Sequence, residues 1–311
     1  VQPVYAFFGI PFALPPVGSL RFKPPQPIVK SWSEDLKSKS RGPACVQPGR
    51  GQEDCLYLEV YAPAVQSEQP RAVMIWFNSG NFKHGLGNDF YGDVLAANGD
   101  VIVVMGNFRL GMLGFFANDA TFSESGTTGN WGLLDQQAVM KWVQENIADF
   151  GGDPDRVTIF GSWVGAMSVL AHLTNEESIP LFQNAIVQSG SSKLEPFFQP
   201  LQDAKEFNQW FASTHLTCKG LEDMECLRGA AASDFLFHSG EREGWGAPSW
   251  SSPTFPLVVA APVIDGVFLK GSPHALLSSK QNSKKGVFLG VTQDDGSIFV
   301  QSLYSDSVRP R

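Results

Sequence analysis

The alternation of short apolar runs with helical patterns is the feature that most constrains the fold. Five runs are rich in β-branched or aromatic residues and are bounded by Gly, Asn or Asp, which is typical of strands buried on both faces. These runs are residues 72–77, 101–105, 157–160, 185–188 and 287–291. Helical patterns lie between them, at residues 133–147, 166–173 and 203–215. Strands that alternate with helices predict a mostly parallel sheet with helices on both faces, which is the α/β fold class.

Two segments stand outside this alternation. Residues 1–65 are rich in proline, which lacks an amide hydrogen, so we expect irregular chain on a surface rather than sheet interior. Within them, residues 53–63 alternate in polarity as an edge or half-buried strand does. Residues 239–256 combine two tryptophans with Gly, Pro and Ser. They predict a loop, either an excursion on the surface or one wall of a pocket.

Composition narrows the classes of function. Hydrophobic residues make up 43% of the chain and charged residues 17%, as in a folded globular protein. The formal net charge of -8 argues against binding of nucleic acid, which needs a basic face. No apolar run approaches the ~20 residues of a membrane-spanning helix, so we expect no membrane span in this chain. No secretory leader is recognisable, and Val1 has the look of a mature or trimmed start.

Four cysteines form two pairs that are close in sequence: Cys45 with Cys55, and Cys218 with Cys226. Two short disulfide loops are the simplest of the possible connectivities, and four free buried thiols are the alternative. Histidines at metal-ligand spacing and C-x-x-C motifs are both missing, so we expect no metal site. Disulfides would indicate an oxidising compartment, and we expect a secreted, extracellular protein.

Residues 157–169, VTIFGSWVGAMSV, predict a buried strand that runs into a helix. The junction keeps the two glycines of a G-x-S-x-G turn, on which hydrolases carry a nucleophilic serine. Trp163 stands in the place of that serine. An indole N–H is a donor only and cannot attack a carbonyl. The glycines let strand and helix approach closely, so packing requires them with or without chemistry.

Five stretches together resemble the type-B carboxylesterase and cholinesterase family. They are FFGIPFALPPVGSLRFKPPQP, EDCLYLEVYAP, NFRLGMLGFF, GNWGLLDQQAVMKWVQENIADFGGDPDRVTIFG and GVTQDDGSIF. The resemblance runs nearly end to end and implies an α/β-hydrolase fold, in one domain over residues 1–311. It also implies the same disulfide pairing, of Cys45 with Cys55 and of Cys218 with Cys226.

Enzymes of this family hydrolyse carboxylic esters with a Ser-Glu-His triad, so the resemblance assigns roles to single positions. The nucleophile corresponds to Trp163, and Ser162 stands where the family usually has Glu. The acid corresponds to Asp295, which is one methylene shorter than the usual Glu. Because the nucleophile and its neighbour both differ, we expect a catalytically inactive member of the family.

The resemblance also places the family's oxyanion hole, which holds the negative oxygen that develops during attack. Its Gly-rich loop corresponds to Asn78, Ser79, Gly80, Asn81 and Phe82. The first histidine and two of the three glycines of the family's pattern are absent. The amides that would bind the oxyanion belong to Gly80, Asn81 and Val164. Asparagine tolerates fewer backbone conformations than glycine, so we expect a distorted hole.

No residue of this chain takes the role of the triad histidine, which the resemblance places well beyond the acid. The five histidines are His84, His172, His215, His238 and His274. The family's remaining strands and helices would also follow, and a sheet cut at this point exposes an apolar edge. We therefore expect a second polypeptide, the C-terminal part of the same precursor, to complete the domain. A truncated chain is the alternative.

Three hypotheses of function follow. In the first, Trp163 forms a wall of an open pocket that binds a small apolar ligand, lipid-like or pigment-like, without a cofactor. The residues expected around that ligand are Trp163, Ser162, Val164, Asn78, Ser79, Gly80, Asn81, Phe82, Trp76 and Trp131. In the second, Trp163 fills the gorge that holds the substrate in enzymes of this family. The protein then acts in neuroligin-like adhesion or in a structural or storage role. In the third, some ester hydrolysis persists.

Overall fold

The computed structural model describes residues 2–28, 39–85, 90–191, 197–236, 260–279 and 285–295. The strands within them are β1 (Val4–Pro11), β2 (Tyr57–Pro63), β3 (Arg71–Phe77), β4 (Ile102–Gly106), β5 (Gly152–Ser162), β6 (Asn184–Gln188), β7 (Gln199–Pro200), β8 (Val263–Ile264) and β9 (Gly286–Gly290). The helices are α1 (Asp93–Gly99), α2 (Gly111–Phe115), α3 (Asp119–Ser125), α4 (Trp131–Asn146), α5 (Val164–Thr174), α6 (Leu201–Trp210), α7 (Met224–Gly229) and α8 (Pro273–Ser278). A π-helical turn, Phe211–His215, continues α6.

One large sheet organises the described residues, in the strand order β1-β2-β4-β3-β5-β6-β9. The pairs β1–β2 and β2–β4 are antiparallel, whereas β4, β3, β5, β6 and β9 run parallel. Parallel neighbours need crossover connections, and α4 and α5 supply two of them. The five predicted apolar runs overlap β3, β4, β5, β6 and β9. The predicted α/β class with a mostly parallel sheet is therefore confirmed.

The prediction for the proline-rich N-terminal region is wrong in two places. Val4–Pro11 forms the edge strand β1, because proline comes only at its last residue and leaves the amides before it free to pair. β2 was expected at an edge or half-buried, but it lies between β1 and β4 and is buried from Leu58 onward. The predicted loop at residues 239–256 lies outside the described residues.

Alternate residues of the central strands face two different layers. On one face, Ile75 and Ile159 are fully buried in the main core, to which α4 and α5 contribute. On the other face, Trp76 belongs to a smaller cluster with Ala96 of α1 and Met105 of β4. The main core thus lies between the sheet and the helix that follows β5, directly beneath the junction that carries Trp163.

Both predicted disulfides are present. Cys45 pairs with Cys55 just before β2, and Cys218 pairs with Cys226 of α7. Neither pair leaves a free thiol in the described chain. Of the helices that the structure describes, none is both long and apolar enough to cross a membrane. The described residues also contain no cluster of His, Cys, Asp or Glu suited to a metal ion.

Candidate functional site

The junction between β5 and α5 is a sharp elbow with Trp163 at its tip. Trp163 has φ 54° and ψ -117°, a region that bulky residues rarely occupy. A Cβ atom added to Gly161 would lie 2.5 Å from the carbonyl carbon of Gly165. One added to Gly165 would collide with the backbone oxygen of Phe77. The two glycines are therefore required by the close approach of strand and helix, as predicted.

The indole of Trp163 is half-buried and tied to the loop that follows β3. Its Nε1 donates a hydrogen bond to Oδ1 of Asn81 at 2.7 Å. Its ring meets Phe197 edge-on, with ring centroids 5.5 Å apart. The polar atom of the indole is thus satisfied inside the protein, and the remaining surface of the ring is apolar.

The loop over residues 78–82 is a tight turn held by backbone contacts. The amides of Lys83 and His84 each lie 3.0 Å from the carbonyl oxygen of Gly80. Gly80 has φ 110°, and a Cβ there would collide with the carbonyl oxygen of His84, so only glycine fits. Asn81 and Phe82 follow with φ 56° and 57°, values at which glycine is favoured. The structure places two non-glycine residues in the left-handed region of this loop.

The remaining polar positions of the predicted site lie around this turn and elbow. Asn78 is buried, and its Nδ2 donates to the carbonyl oxygen of Ser79 at 2.9 Å. Ser162 is half-buried at the end of β5, where it pairs with Gln188 of β6. Val164 is fully buried as the first residue of α5. The structure thus brings the loop and the elbow together, as the sequence predicted.

Three other predicted aromatic residues make contacts of their own. Trp131 is fully buried at the start of α4, where its Nε1 donates to the carbonyl oxygen of Phe116 at 2.9 Å. Phe82 is fully buried and packs against Phe115. Trp76 points to the opposite face of the sheet. Among the described residues, Phe197 meets the ring of Trp163 edge-on, and the sequence did not predict this contact.

The position of the triad acid lies on an exposed turn after β9. The amide of Asp295 is 3.3 Å from the carbonyl oxygen of Thr292, and the residue is exposed. His238 lies outside the described residues. The histidine nearest the elbow in sequence is His172, which is fully buried in α5.

His172 belongs to a buried polar network beneath the elbow that the sequence analysis missed. Its Nε2 lies 3.0 Å from Oε1 of Gln136, and its Nδ1 lies 2.9 Å from the hydroxyl of Ser178. Nε2 of Gln136 donates to the hydroxyl of Ser168, which donates to the carbonyl oxygen of Val164. Because the amide Oε1 only accepts, the imidazole proton lies on Nε2. The network fastens the first turn of α5 to α4.

Burial lowers the pKa of His172 to about 3, so its imidazole is neutral at ordinary pH. A neutral imidazole is also what the network requires, since one ring nitrogen donates and the other accepts. His172 therefore supports the elbow from below and has no access to the tip.

Comparison with known proteins agrees with this geometry. A model of the carboxylesterase family matches residues 1–310. The chain belongs to the carboxylesterase family. It is 36% identical to carboxylesterase 4A of Bos taurus, over 93% of this chain and 55% of that protein. It is 38% identical to cholinesterase of Mus musculus, over 96% of this chain and 51% of that protein.

Solved carboxylesterase structures share the fold. PNB esterase superimposes with a TM-score of 0.84 at 36% identity, over 98% of this chain and 62% of that one. The α/β-hydrolase fold that the resemblance implied is confirmed. The chain spans about half the length of the curated carboxylesterase relatives and three fifths of the structural one.

The sequence could have signalled part of what was missed. His172 interrupts the apolar stretch of α5, and Gln136 occupies a buried turn of α4. Polar residues on two neighbouring buried helices indicate a shared network, because buried polar groups need partners. Phe197 carries no comparable signal, since its position against Trp163 depends on the path of the chain after β6.

Proposed function

We propose that this member of the carboxylesterase family binds a small apolar molecule, lipid-like or pigment-like, beside Trp163 and does not hydrolyse esters. The observation that carries the proposal is the indole at the tip of the elbow. An indole offers no lone pair for attack on a carbonyl. Removal of the serine from a serine hydrolase lowers turnover by about 10⁶.

The altered oxyanion loop supports the absence of hydrolysis. The side-chain oxygen of Asn81 accepts the hydrogen bond from the indole of Trp163. This bond joins the loop over residues 78–82 to the tip of the elbow. An oxyanion hole works through donors fixed around the place where charge develops. Here the side chain of Trp163, joined to Asn81, stands where an attacking hydroxyl would be.

The chemistry of the Trp163 ring supports an apolar ligand. The one polar atom of the Trp163 indole already has an acceptor, and Phe197 lies edge-on beside it. The accessible part of this half-buried ring is apolar, which favours stacking and dispersion contacts with a ligand. A ligand held here would therefore be recognised by shape and apolar area more than by hydrogen bonds.

Titration with cis-parinaric acid tests this proposal on the native protein. Energy transfer from tryptophan to the bound probe is expected in the wild type. Trp163→Ala should weaken binding at least about tenfold, the effect of roughly 1.4 kcal/mol of lost contact. Trp142→Ala is the matched control, because Trp142 lies on α4 and packs against Phe150. Equal binding by wild type and Trp163→Ala would contradict the proposal.

Native mass spectrometry of the protein from its source separates binding from a plugged gorge. A bound molecule should appear as a few hundred extra daltons that organic extraction removes. No excess mass, together with no binding of the probe, would favour the plug and direct the search to adhesion or a structural or storage role.

We also propose an extracellular location, which the two disulfides support because such bonds persist in oxidising compartments. Alkylation of the protein as isolated, without a reductant, should leave all four cysteines unmodified. Four alkylated thiols in freshly isolated protein would contradict an oxidising location.

A further inference from the structure

The short loop closed by the disulfide of Cys45 and Cys55 contains a buried glutamine. Gln47 is 2% exposed, although glutamine lies mostly at protein surfaces. The amide of Gln47 lies 3.0 Å from the carbonyl oxygen of Arg50, and the amide of Arg50 lies 3.1 Å from that of Gln47. The disulfide and this backbone pairing together fix the position from which the Gln47 side chain extends.

The side-chain amide of Gln47 holds both backbone polar groups of Gly85. Its Nε2 donates to the carbonyl oxygen of Gly85 at 3.0 Å, and its Oε1 accepts from the amide of Gly85 at 2.9 Å. Nε2 also donates to the carbonyl oxygen of Cys45, and Oε1 accepts from Nε of Arg50. A glutamine amide has two N–H donors and two lone pairs on its oxygen, so these four bonds use its full capacity.

Gly85 ends a turn over residues 78–85 that packs against itself. A Cβ atom on Gly85 would lie 2.8 Å from the carbonyl oxygen of Ser79, so the end of the turn touches its beginning. The amide of His84 also bonds to the carbonyl oxygen of Gly80. Because the two ends of the turn are in contact, holding Gly85 in place also restrains the residues between them.

Asn81 lies inside this turn and its side chain reaches the elbow. Its Oδ1 accepts the hydrogen bond from Nε1 of Trp163 at 2.7 Å. Asn81 has φ 56°, and a non-glycine residue keeps such a conformation only where its surroundings impose it. Two contacts from outside the turn supply that restraint: the amide of Gly111 bonds to the carbonyl oxygen of Phe82, and Gln47 holds Gly85.

We infer that Gln47 is a positioning residue for the indole of Trp163. Gln47 fixes Gly85, the turn transmits that restraint to Asn81, and Asn81 holds Nε1 of the indole. The orientation of the ring at the tip of the elbow thus depends on the loop that the first disulfide closes. A consequence that rests on the proposed function is that loss of the Gln47 amide weakens ligand binding without removing a residue that contacts the ligand.

NMR of the indole N–H groups in the whole chain tests the inference. Labelling with ¹⁵N gives one Nε1–H signal for each of the eight tryptophans, and its loss in Trp163→Phe assigns the signal of Trp163. Gln47→Met keeps the length of the side chain but removes the amide group. We expect the Trp163 signal to move upfield and its hydrogen exchange to quicken at least about tenfold, because the bond to Asn81 opens more often. An unchanged position and exchange rate would overturn the inference.

Trp131 is the internal reference in the same spectra. Its Nε1 donates to the carbonyl oxygen of Phe116 in the core, away from the turn in the hydrogen-bond path. In Gln47→Met its signal and exchange rate should stay at the wild-type values. Equal acceleration of exchange at Trp131 and Trp163 would indicate general destabilisation and would contradict a positioning role for Gln47.

Gln144 of α4 offers the matched control variant. It is a half-buried glutamine whose Nε2 donates to two carbonyl oxygens, those of Pro154 and Leu181. Gln144→Met removes contacts of the same kind as Gln47→Met but leaves the turn intact. The Trp163 signal should therefore keep its wild-type position and exchange rate in Gln144→Met. A shift as large as that in Gln47→Met would also overturn the inference.

Gln47→Glu decides the question if Gln47→Met does not fold. An ionised glutamate still accepts from the amide of Gly85 and from Nε of Arg50, but it donates no hydrogen bond. Exchange at Nε1 of Trp163 should then quicken by a smaller factor, at least about threefold. Exchange at the wild-type rate in this variant would contradict the inference.

Binding of cis-parinaric acid separates this inference from the proposed function. Where the wild type binds the probe, Gln47→Met should weaken binding about tenfold, and Gln144→Met should leave it unchanged. A wild type that does not bind the probe would contradict the proposed function alone, and the indole signal of Trp163 would still decide the role of Gln47.

Discussion

The buried side of the elbow and its tip obey different constraints. On the buried side, Gly161 and Gly165 touch backbone atoms directly, and His172 completes a network without an unpaired ring nitrogen. At the tip, Trp163 is half-buried, donates a hydrogen bond to Asn81 and meets Phe197 edge-on, and Asn81 lies in a loop with non-glycine residues at positive φ. One side is fixed by close packing of backbone atoms, and the other is held by side-chain contacts.

This difference separates the fold of the elbow from its chemistry. The glycines and the buried network are needed to bring β5, α5 and α4 together, and none of these contacts involves a nucleophile. A G-x-x-x-G turn between strand and helix therefore indicates how the chain packs. The residue at the tip determines whether it can react.

The largest effect is expected on the buried side. Gly165→Ala places a Cβ against the backbone oxygen of Phe77. A backbone atom cannot move aside as the end of a flexible side chain can. We expect the free energy of unfolding to fall by about 3 kcal/mol or more. Gly229→Ala in α7 is the control, because a Cβ there meets nothing within 4 Å. Urea denaturation of wild type and both variants measures the free energy of unfolding. Equal values for Gly165→Ala and Gly229→Ala would contradict the close packing proposed for the buried side of the elbow.

Acidification should lower the stability of the protein through His172, on the buried side of the elbow. Burial lowers the pKa of His172 to about 3, whereas an exposed histidine in the unfolded chain titrates near 6.5. Below pH 6.5 the unfolded state therefore takes up a proton that the folded state does not. Stability present above pH 6.5 is lost as the pH falls toward 3, by about 2 kcal/mol at pH 5.

His172→Gln isolates this contribution because glutamine does not titrate. The unfolding free energies of wild type and variant, measured from pH 7 to pH 5, should converge as the pH falls. Parallel curves over that range would show that His172 is not the group responsible.

At the tip, the contact between Trp163 and Asn81 should contribute less. A double-mutant cycle with Asn81→Gly and Trp163→Phe should give a coupling energy of about 1 kcal/mol, typical of one hydrogen bond. Asn81→Ala should be less stable than Asn81→Gly by about 1 kcal/mol, because Asn81 has φ 56°. A coupling energy near zero would mean that the two side chains do not hold each other.

The smallest effect is expected from restoring the hydroxyl. Trp163→Ser should leave hydrolysis of p-nitrophenyl acetate at background, since the loop keeps Asn81 and the acid position remains on an exposed turn. A rise of a hundredfold or more in the rate would show that the rest of the machinery is intact.

Much of the fold could be predicted because buried parallel strands are continuous apolar runs, as in residues 101–105 and 157–160. Strand β1 could not be predicted, because the prolines around it suggested irregular chain. Its pairing with β2 also depends on tertiary contact. Edge or interior position was likewise misjudged for β2, because alternation alone does not reveal a covering strand.

The site divides in the same way. The meeting of loop 78–82 with the elbow could be predicted, because both follow neighbouring parallel strands, β3 and β5, at the same edge of the sheet. The aromatic residues that contact Trp163 could not be predicted. Trp76 directly precedes the loop and Trp131 begins α4, but strand alternation turns Trp76 to the other face of the sheet and Trp131 bonds to Phe116, whereas Phe197 comes from the chain after β6.

Labelling of the native protein with diisopropyl fluorophosphate tests the central claim most directly. The reagent phosphorylates an activated serine and gives a mass increase that can be located in one peptide. We expect no adduct, and no p-nitrophenyl acetate hydrolysis that the reagent abolishes. A stoichiometric adduct on one serine, with loss of hydrolysis in proportion, would show that the protein is an esterase despite Trp163.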